Sequence, residues 1–387
     1  MVKRVLLVVF DAFGIGPLPD YKLYSESEPN SFGHVVEVTG GISLPTLQSM
    51  GLGLISDVPG LEVSRPTASV GRTRQQSSFC ESYAAHWEMA GCIVNEGLQP
   101  PLPFGLPEDV IRKIESAIGM PLLGNKALYP DIDLLDHSII KEHIRTGYPI
   151  ALTVGKEESI STFVLCGCSE VISKESLFEL VRITKEVLSD DPRFGRIGAR
   201  LFDYDGEKAS KTKERLDLPN FRPPTPNLIE SIVRTGRNCV AIGKVGQLFG
   251  NRGFTASYGY RDSEEIWQSI LEVMNTTESG FIWANLNDLD KLGHKKDPLM
   301  WKATLEKYDS WLERLTSQLN EDDVLILTGD HGTDPVVSGQ HTREWNPLLV
   351  FSPSSTSQIL GDRNHVDIAE TISKWWNLDF KGPGSVF

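Results

Sequence analysis

The stretch Val5-Leu6-Leu7-Val8-Val9-Phe10-Asp11 is apolar on both faces of any strand it forms and is closed by a carboxylate. A strand apolar on both sides belongs inside a sheet that is covered on both faces, the situation of a parallel α/β sheet. Similar runs recur downstream. Cys239–Gly243 follows an amphipathic stretch, Asn227–Arg234, and Phe281–Leu286 follows a capped helix opening at Asp262-Ser263. Val324–Thr328 follows a long helix over Leu299–Leu319, and Leu348–Ser352 precedes a last helix, Val366–Trp376. Strand, polar loop and helix in repetition predict an α/β fold with a mostly parallel sheet.

The chain has 387 residues, 40% hydrophobic and 23% charged, which excludes a disordered or collagen-like protein. Thirty-eight Lys and Arg against 52 Asp and Glu give a net charge of −14. Such a surface repels phosphate backbones and argues against nucleic-acid binding, while it suits a protein that gathers divalent cations. The five cysteines, Cys80, Cys92, Cys166, Cys168 and Cys239, are odd in number and contain no CxxC pair, so reduced thiols are expected. Cys166 and Cys168 are expected on two faces of one strand. The longest apolar run is far too short to span a membrane. No signal-peptide pattern opens the sequence, so a cytoplasmic address is expected, with no membrane and no obligate protein partner.

The middle of the chain reads differently. The Pro-rich stretch 99–103 precedes a helix at Pro107–Ala117, strands near Ile150–Val154 and Thr162–Cys166, and a helix at Lys174–Leu188. A Lys-rich segment, Lys208–Arg215, then leads to a second Pro-rich cluster at 222–226. This punctuation predicts a core of 1–97 with 221–387, interrupted by an inserted cap domain at 98–220.

Carboxylates collect where the apolar runs end. Asp11 follows the first run, Asp288 and Asp290 follow the third, and Asp330-His331 follows the fourth. In an open α/β sheet, ligands gather at the carboxyl ends of strands. His294 lies four residues beyond Asp290, and His341 lies ten beyond His331. An aspartate at a strand end often caps a helix, and a single histidine is more often structural than a ligand. Two spaced pairs, each just past a buried strand, favour a metal site. Carboxylates mixed with imidazoles suit Mn²⁺, Zn²⁺ or Mg²⁺. Six groups exceed what one catalytic ion can use, and two ions about 4 Å apart would employ them all and clamp a phosphoryl group.

Phosphoryl transfer through the protein needs a hydroxyl, and the segment Ser77–Glu88 offers Ser77, Ser78 and Ser82. Other phosphate and nucleophile motifs are missing. There is no GxxxxGK[ST], no complete GxGxxG, no GxSxG and no HExxH, which weighs against nucleotide hydrolases, dehydrogenases, serine esterases and zincins.

The blocks Val9-Phe10-Asp11-Ala12-Phe13-Gly14-Ile15-Gly16, His86-Trp87-Glu88-Met89-Ala90-Gly91, Gly124-Asn125-Lys126, Ile242-Gly243-Lys244, Asp330-His331-Gly332-Thr333-Asp334-Pro335 and His341-Thr342-Arg343-Glu344 run in order along nearly the whole chain. In these the sequence resembles the phosphopentomutases of the metal-dependent alkaline phosphatase superfamily. The resemblance implies an alkaline-phosphatase-like α/β/α core with an α+β cap, and two Mn²⁺ ions. Asp11, Asp330, His331 and the nucleophile hydroxyl would serve one ion; Asp290, His294 and His341 would serve the other. The nucleophile position falls on Ser82, where the family has threonine. A phospho-Ser82 would exchange a phosphoryl group between the 1- and 5-oxygens of ribose or deoxyribose, with a sugar bisphosphate as activator. Arg196, Lys211 and Lys244 would hold the distal phosphate.

The sequence departs from the family pattern around the sugar. Glu81-Ser82-Tyr83-Ala84-Ala85 replaces Asp-Thr-x-Thr-Gly, and Lys211 replaces an arginine, exchanging a two-pronged grip for a point charge. Stretches 127–131 and 158–162 differ as well. Reaction class is therefore read more firmly than substrate. A metal-dependent phosphatase, or a mutase for another sugar phosphate or nucleotide-like metabolite, is the alternative, and a metal-binding protein without activity is disfavoured by the intact Ser82. His86 and Trp87 are expected to pack behind Ser82, Asp288 to support the ligands, and Arg343 and Glu344 either to orient His341 or to reach the phosphate. His34, His137, His143 and His365 are read as surface or structural.

Overall fold

The computed structural model describes residues 2–78, 80–94, 106–128, 135–154, 162–189, 191, 194–220, 224–260 and 262–387, without the side chains of 125–128, 154 and 219. Readings that rest on 79, 99–103, 129–131, 158–161 and 222–223 lie outside the described residues. The chain divides into two compact units, Met1–Val94 with Pro223–Phe387, and Asn95–Arg222.

In chain order the strands are β1 (Arg4–Phe10), β2 (Ser69–Arg74), β3 (Leu123–Leu128), β4 (Ile150–Val154), β5 (Thr162–Cys168), β6 (Arg196–Tyr204), β7 (Ala209–Pro219), β8 (Asn238–Ile242), β9 (Ala256–Tyr258), β10 (Gly280–Leu286), β11 (Asp323–Thr328), β12 (Gly332–Thr333), β13 (His341–Thr342), β14 (Asn346–Phe351) and β15 (Ile359–Asn364). The helices are α1 (Ser31–Thr39), α2 (Pro45–Met50), α3 (Ser82–Met89), α4 (Glu108–Ile118), α5 (His137–Thr146), α6 (Lys174–Val187), α7 (Leu228–Arg234), α8 (Val245–Leu248), α9 (Ser263–Thr276), α10 (Asp288–Lys295), α11 (Pro298–Thr316) and α12 (Val366–Trp376).

The first unit holds an eight-stranded sheet in the order β15-β2-β14-β11-β1-β10-β8-β9. β1 lies at its centre, parallel to β10 and β11, and every one of its residues is buried. Leu6, Val8 and Phe10 face a core shared with α1, α2, α9 and α11. On the opposite face Trp283 of β10 stacks on His86 of α3, with ring centroids 5.5 Å apart. Helices thus cover both sides, as the two-sided apolar runs require. Side-chain caps set the helix starts: Asp262 accepts from the Glu265 amide at 2.9 Å, and Asp297 from the Met300 amide at 3.0 Å.

One strand runs against the expected direction. β14 is antiparallel to β11 because no crossover helix separates them; the intervening chain holds only the short antiparallel ribbon β12-β13. Sequence reading also misses β2 and β15, which extend the sheet beyond β14.

The second unit carries a five-stranded mixed sheet, β3-β4-β5-β6-β7. One face packs with α4 and α6 through Phe163, Leu165 and Ile197, the other with α5 through Val164, Cys166 and Cys168. The two cysteines therefore share one face. Successive side chains of a strand alternate, so residues two apart point the same way, and the expectation of opposite faces is corrected. All five cysteines are free and buried. Among the described residues, no helix is long and apolar enough to cross a membrane.

Candidate metal centre

Asp11 leaves β1 at the carboxyl edge of the first unit's sheet, and Asp330 leaves β11 beside it. The two are fully buried. Ala12, at a positive φ of 65°, turns its amide onto Asp330 Oδ1 at 3.0 Å, and the His331 amide donates to the same oxygen at 3.1 Å. Asn285 donates from Nδ2 to Asp11 Oδ2 at 2.9 Å. Asp11, Asp330 and His331 each offer a ligand atom, all within 4.8 Å of one another.

A second group, Asp290, His294 and His341, meets the same 4.8 Å limit. Asp290 and His294 are one helical turn apart on α10, so both side chains reach the same side. His341 comes across from β13. Its Nε2 lies 3.4 Å from Asp290 Oδ1, as does His294 Nε2. The two groups are neighbours, since the rings of His331 and His341 are 4.0 Å apart.

The donor chemistry fits metal ions. His331, His294 and His341 each donate Nδ1–H to a backbone carbonyl, of Gly332 at 3.1 Å, Gly339 at 2.9 Å and Cys80 at 2.7 Å. That pattern fixes the ring orientation and turns three Nε2 atoms inward, and the Nε2 proton of His341 must leave before that ring can ligate. Asp11 Oδ1 and Asp330 Oδ2, both buried, find no hydrogen-bond partner among the described residues. Two carboxylates with unpaired oxygens in one dry site demand positive charge.

The electrostatics agree. Burial, reinforced by the Asp330 charge, pushes Asp11 up to about 8. Burial opposes ionisation of Asp330 as well, yet His331 and Lys244 hold it well below the usual carboxylate range. Burial takes His331 down to about 3, so its imidazole is neutral and free to ligate. Burial would lower His341 too, but the Asp290 and Glu81 carboxylates override it and push it up to about 10. Asp290 is in turn held below its ordinary range by His341, His331 and His294 against the burial penalty.

Ser82 opens α3 and is buried. Its Oγ lies 3.1 Å from His331 Nε2 and accepts from Lys244 Nζ at 2.7 Å. Lys244 also contacts Asp11 and lies 3.7 Å from Asp330 Oδ2. His86 donates Nδ1–H to the Ser82 carbonyl at 2.8 Å, and Trp87 donates to the Leu248 carbonyl at 2.9 Å.

Lys244 stands at the serine hydroxyl, whereas Arg196 and Lys211 lie on β6 and β7 of the second unit. Arg196 pairs with Pro219 and Lys211 with Phe202. Six residues of β6 separate the two levels, about 20 Å, so the strands do not bring Arg196 and Lys211 together. Asp288 pairs with Lys291 at 3.1 Å. Arg343 binds Asp20 at 2.6 Å and the Ser77 carbonyl at 2.8 Å, while Glu344 accepts from Ser31 and Thr342.

Sequence reading gives no role to Asn285, or to Thr333 within its Asp330–Pro335 block, yet they are buried donors to Asp11 and Asp290. Asn285 carries a signal: it is the polar residue inside the otherwise apolar strand β10.

Comparison with known proteins gives the family. A metalloenzyme superfamily model matches residues 3–379. The phosphopentomutase of Clostridium kluyveri is 35% identical over 376 residues, 96% of this chain and 95% of that protein. That of Caldanaerobacter subterraneus subsp. tengcongensis is 35% identical over 385 residues, 98% of this chain and 95% of that one. Among solved structures, phosphoglycerate mutase of Leishmania mexicana superposes with a TM-score of 0.52 at 12% identity, covering 100% of this chain and 97% of its own. The PH0037 protein of Pyrococcus horikoshii gives 0.51 at 13% identity, with 98% of each chain covered. At such identities these two likenesses speak for an alkaline-phosphatase-like α/β fold alone. The superfamily is one of metalloenzymes, and divalent metal ions belong to its chemistry. With relatives of this identity along its whole length, the chain belongs to the phosphopentomutase family of the metalloenzyme superfamily.

Proposed function

We propose that the protein is a phosphopentomutase, interconverting the 1- and 5-phosphates of ribose or deoxyribose through phospho-Ser82. The observation that carries this reading is the Ser82 hydroxyl, set between His331 Nε2 at 3.1 Å and Lys244 Nζ at 2.7 Å beside two ligand groups. Asp11, Asp330 and His331 would hold one divalent ion; Asp290, His294 and His341 would hold the other. Mn²⁺ suits this mixture of carboxylate and imidazole. Bound there, the ions supply Lewis acidity that lowers the pKa of a hydroxyl and neutralises a phosphoryl group.

The chain's own groups supply the rest. Ser82 Oγ attacks phosphorus as the phosphoester bond to the sugar oxygen breaks, and in the net exchange the serine proton passes to that sugar oxygen, which leaves as a hydroxyl. The Lys244 ammonium steadies the oxygen that develops negative charge. Its contacts with Ser82 and Asp11 support a role for Lys244 at the reacting end besides the hold on the distal phosphate that the resemblance implies. Ser82 stands at the start of α3, where amides and helix dipole favour an anion. Arg196 and Lys211 are offered as contacts to the sugar phosphate from the second unit, each on its own. A sugar bisphosphate would load the serine, and a cytoplasmic address fits a sugar phosphate substrate.

A phosphorus-31 NMR time course tests the reading. Protein, Mn²⁺, ribose 5-phosphate and a catalytic amount of sugar bisphosphate should yield ribose 1-phosphate. Free phosphate without isomer identifies a phosphatase and refutes the mutase. Ser82→Ala should abolish turnover and still bind Mn²⁺; unchanged turnover removes Ser82 from the reaction.

A further inference from the structure

Thr333 occupies β12, paired across the ribbon with His341 of β13. It is fully buried. Its Oγ1 donates to Asp290 Oδ1 at 2.9 Å, and this is the carboxylate oxygen that lies 3.4 Å from both His294 Nε2 and His341 Nε2. One side chain is therefore tied to all three members of the second group: to Asp290 by a hydrogen bond, to His341 by strand register, and to His294 through the helix that bears Asp290. The rotamer of Thr333 is fixed from behind. Gly293 of α10 has no side chain where a Cβ would come 2.7 Å from Thr333 Cγ2, so the methyl fills that space and the hydroxyl must face Asp290.

We propose that Thr333 is a positioning residue that sets the affinity of the Asp290, His294 and His341 group for its divalent cation, and leaves the Asp11, Asp330 and His331 group unaffected. The proton of Thr333 occupies one lone pair of Oδ1 and holds the carboxylate plane. The remaining lone pairs then face the space shared with the two imidazoles. Without that bond the carboxylate rotates and an ion loses a prearranged ligand. This inference rests on the two-ion reading above.

Titration calorimetry of metal-stripped protein with Mn²⁺ tests it. The unaltered protein should bind two ions; failure to do so overturns the two-ion reading itself. Thr333→Val keeps the shape and deletes the hydroxyl. It should weaken one of the two binding events by about 10–100-fold and leave the other unchanged. Thr333→Ser restores the hydroxyl and should return affinity to within about threefold of the original, inside the loss expected for the missing bond. Two unchanged sites in the valine variant overturn the inference, as does equal weakening of both. Should the valine variant not fold, Thr333→Ala and Thr333→Ser decide, since both lack the methyl and only serine keeps the hydroxyl. Weaker binding at one site in the alanine variant alone upholds the hydroxyl, and equal binding by the two variants refutes the proposal.

Discussion

Gly293→Ala is the substitution whose effect follows most directly from the packing of α10 against the ribbon. A methyl at that position would lie inside the contact distance of the Thr333 carbonyl oxygen and 2.7 Å from Thr333 Cγ2. The carbonyl is backbone and cannot swing away, so helix and ribbon must part by about 1 Å to reach an ordinary contact. Overpacking of this kind costs about 1–3 kcal/mol. Replacing glycine by alanine within a helix returns about 1 kcal/mol, so a net loss of roughly 1 kcal/mol is expected. The same movement lengthens the 2.9 Å bond from Thr333 to Asp290 beyond hydrogen-bonding range and spreads the 3.4 Å separation between Asp290 and His341. If ion affinity there falls about 10–100-fold, the stabilisation gained from saturating Mn²⁺ falls by about 1.4–2.7 kcal/mol. Urea unfolding in chelator and in excess Mn²⁺ measures both terms. A variant with an unchanged Mn²⁺ increment, or one more stable than wild type in chelator, would refute the claim that this close approach sets the site.

Three further outcomes are expected. Lys244→Met should destabilise the metal-free protein by about 2–4 kcal/mol, since it strips the cation from two buried carboxylates, and Mn²⁺ should recover most of the loss; an equal loss with and without Mn²⁺ contradicts this. Asp11 titrates near 8 in the folded, metal-free chain and near the ordinary carboxylate value when unfolded, so the native state holds an extra proton between those limits and Asp11 costs stability as pH rises through them. Mn²⁺ binding at pH 6.5 should therefore expel about two protons, one from Asp11 and one from His341, and affinity at the Asp11 group should climb about tenfold per pH unit below 8. Calorimetry in two buffers of different ionisation enthalpy reads this directly. Arg4, buried against Asp323 at the opposite end of β1, offers a control: Arg4→Met should cost about 3–5 kcal/mol by stranding the Asp323 charge, and activity per folded molecule should not change.

The sequence was legible where one force dominated. β1, β10 and β11 are buried on both faces, and an unbroken apolar run can mean little else. The ligand groups follow from them, because a residue just past a strand end has its place fixed by that strand, and the four-residue step from Asp290 to His294 is one turn of α10. β2 escaped because its sequence, Ser69-Val70-Gly71-Arg72-Thr73-Arg74, alternates with charge. Arg72 lies over the Trp345 ring at 4.6 Å, with Arg74 over the same ring at 5.4 Å, so apolar stems do work that sequence assigns to apolar residues. The place of Lys244 was hidden for another reason. Its neighbours Ser82 and Asp11 are 162 and 233 positions away along the chain, and only strand order brings them together. Arg196 and Lys211 look like a pair on paper, but the β6-β7 register sets them at different levels.

The division of the chain has an evolutionary consequence. Both ligand groups, Ser82 and Lys244 belong to Met1–Val94 and Pro223–Phe387, while Arg196 and Lys211 belong to Asn95–Arg222. Mutations within the insertion leave every carboxylate and imidazole of the centre in place. If Arg196 and Lys211 read the sugar as proposed, the chemical act and the choice of molecule are inherited on separate stretches of one gene. Lineages could then explore new sugars without passing through an ancestor that has lost its metal ligands.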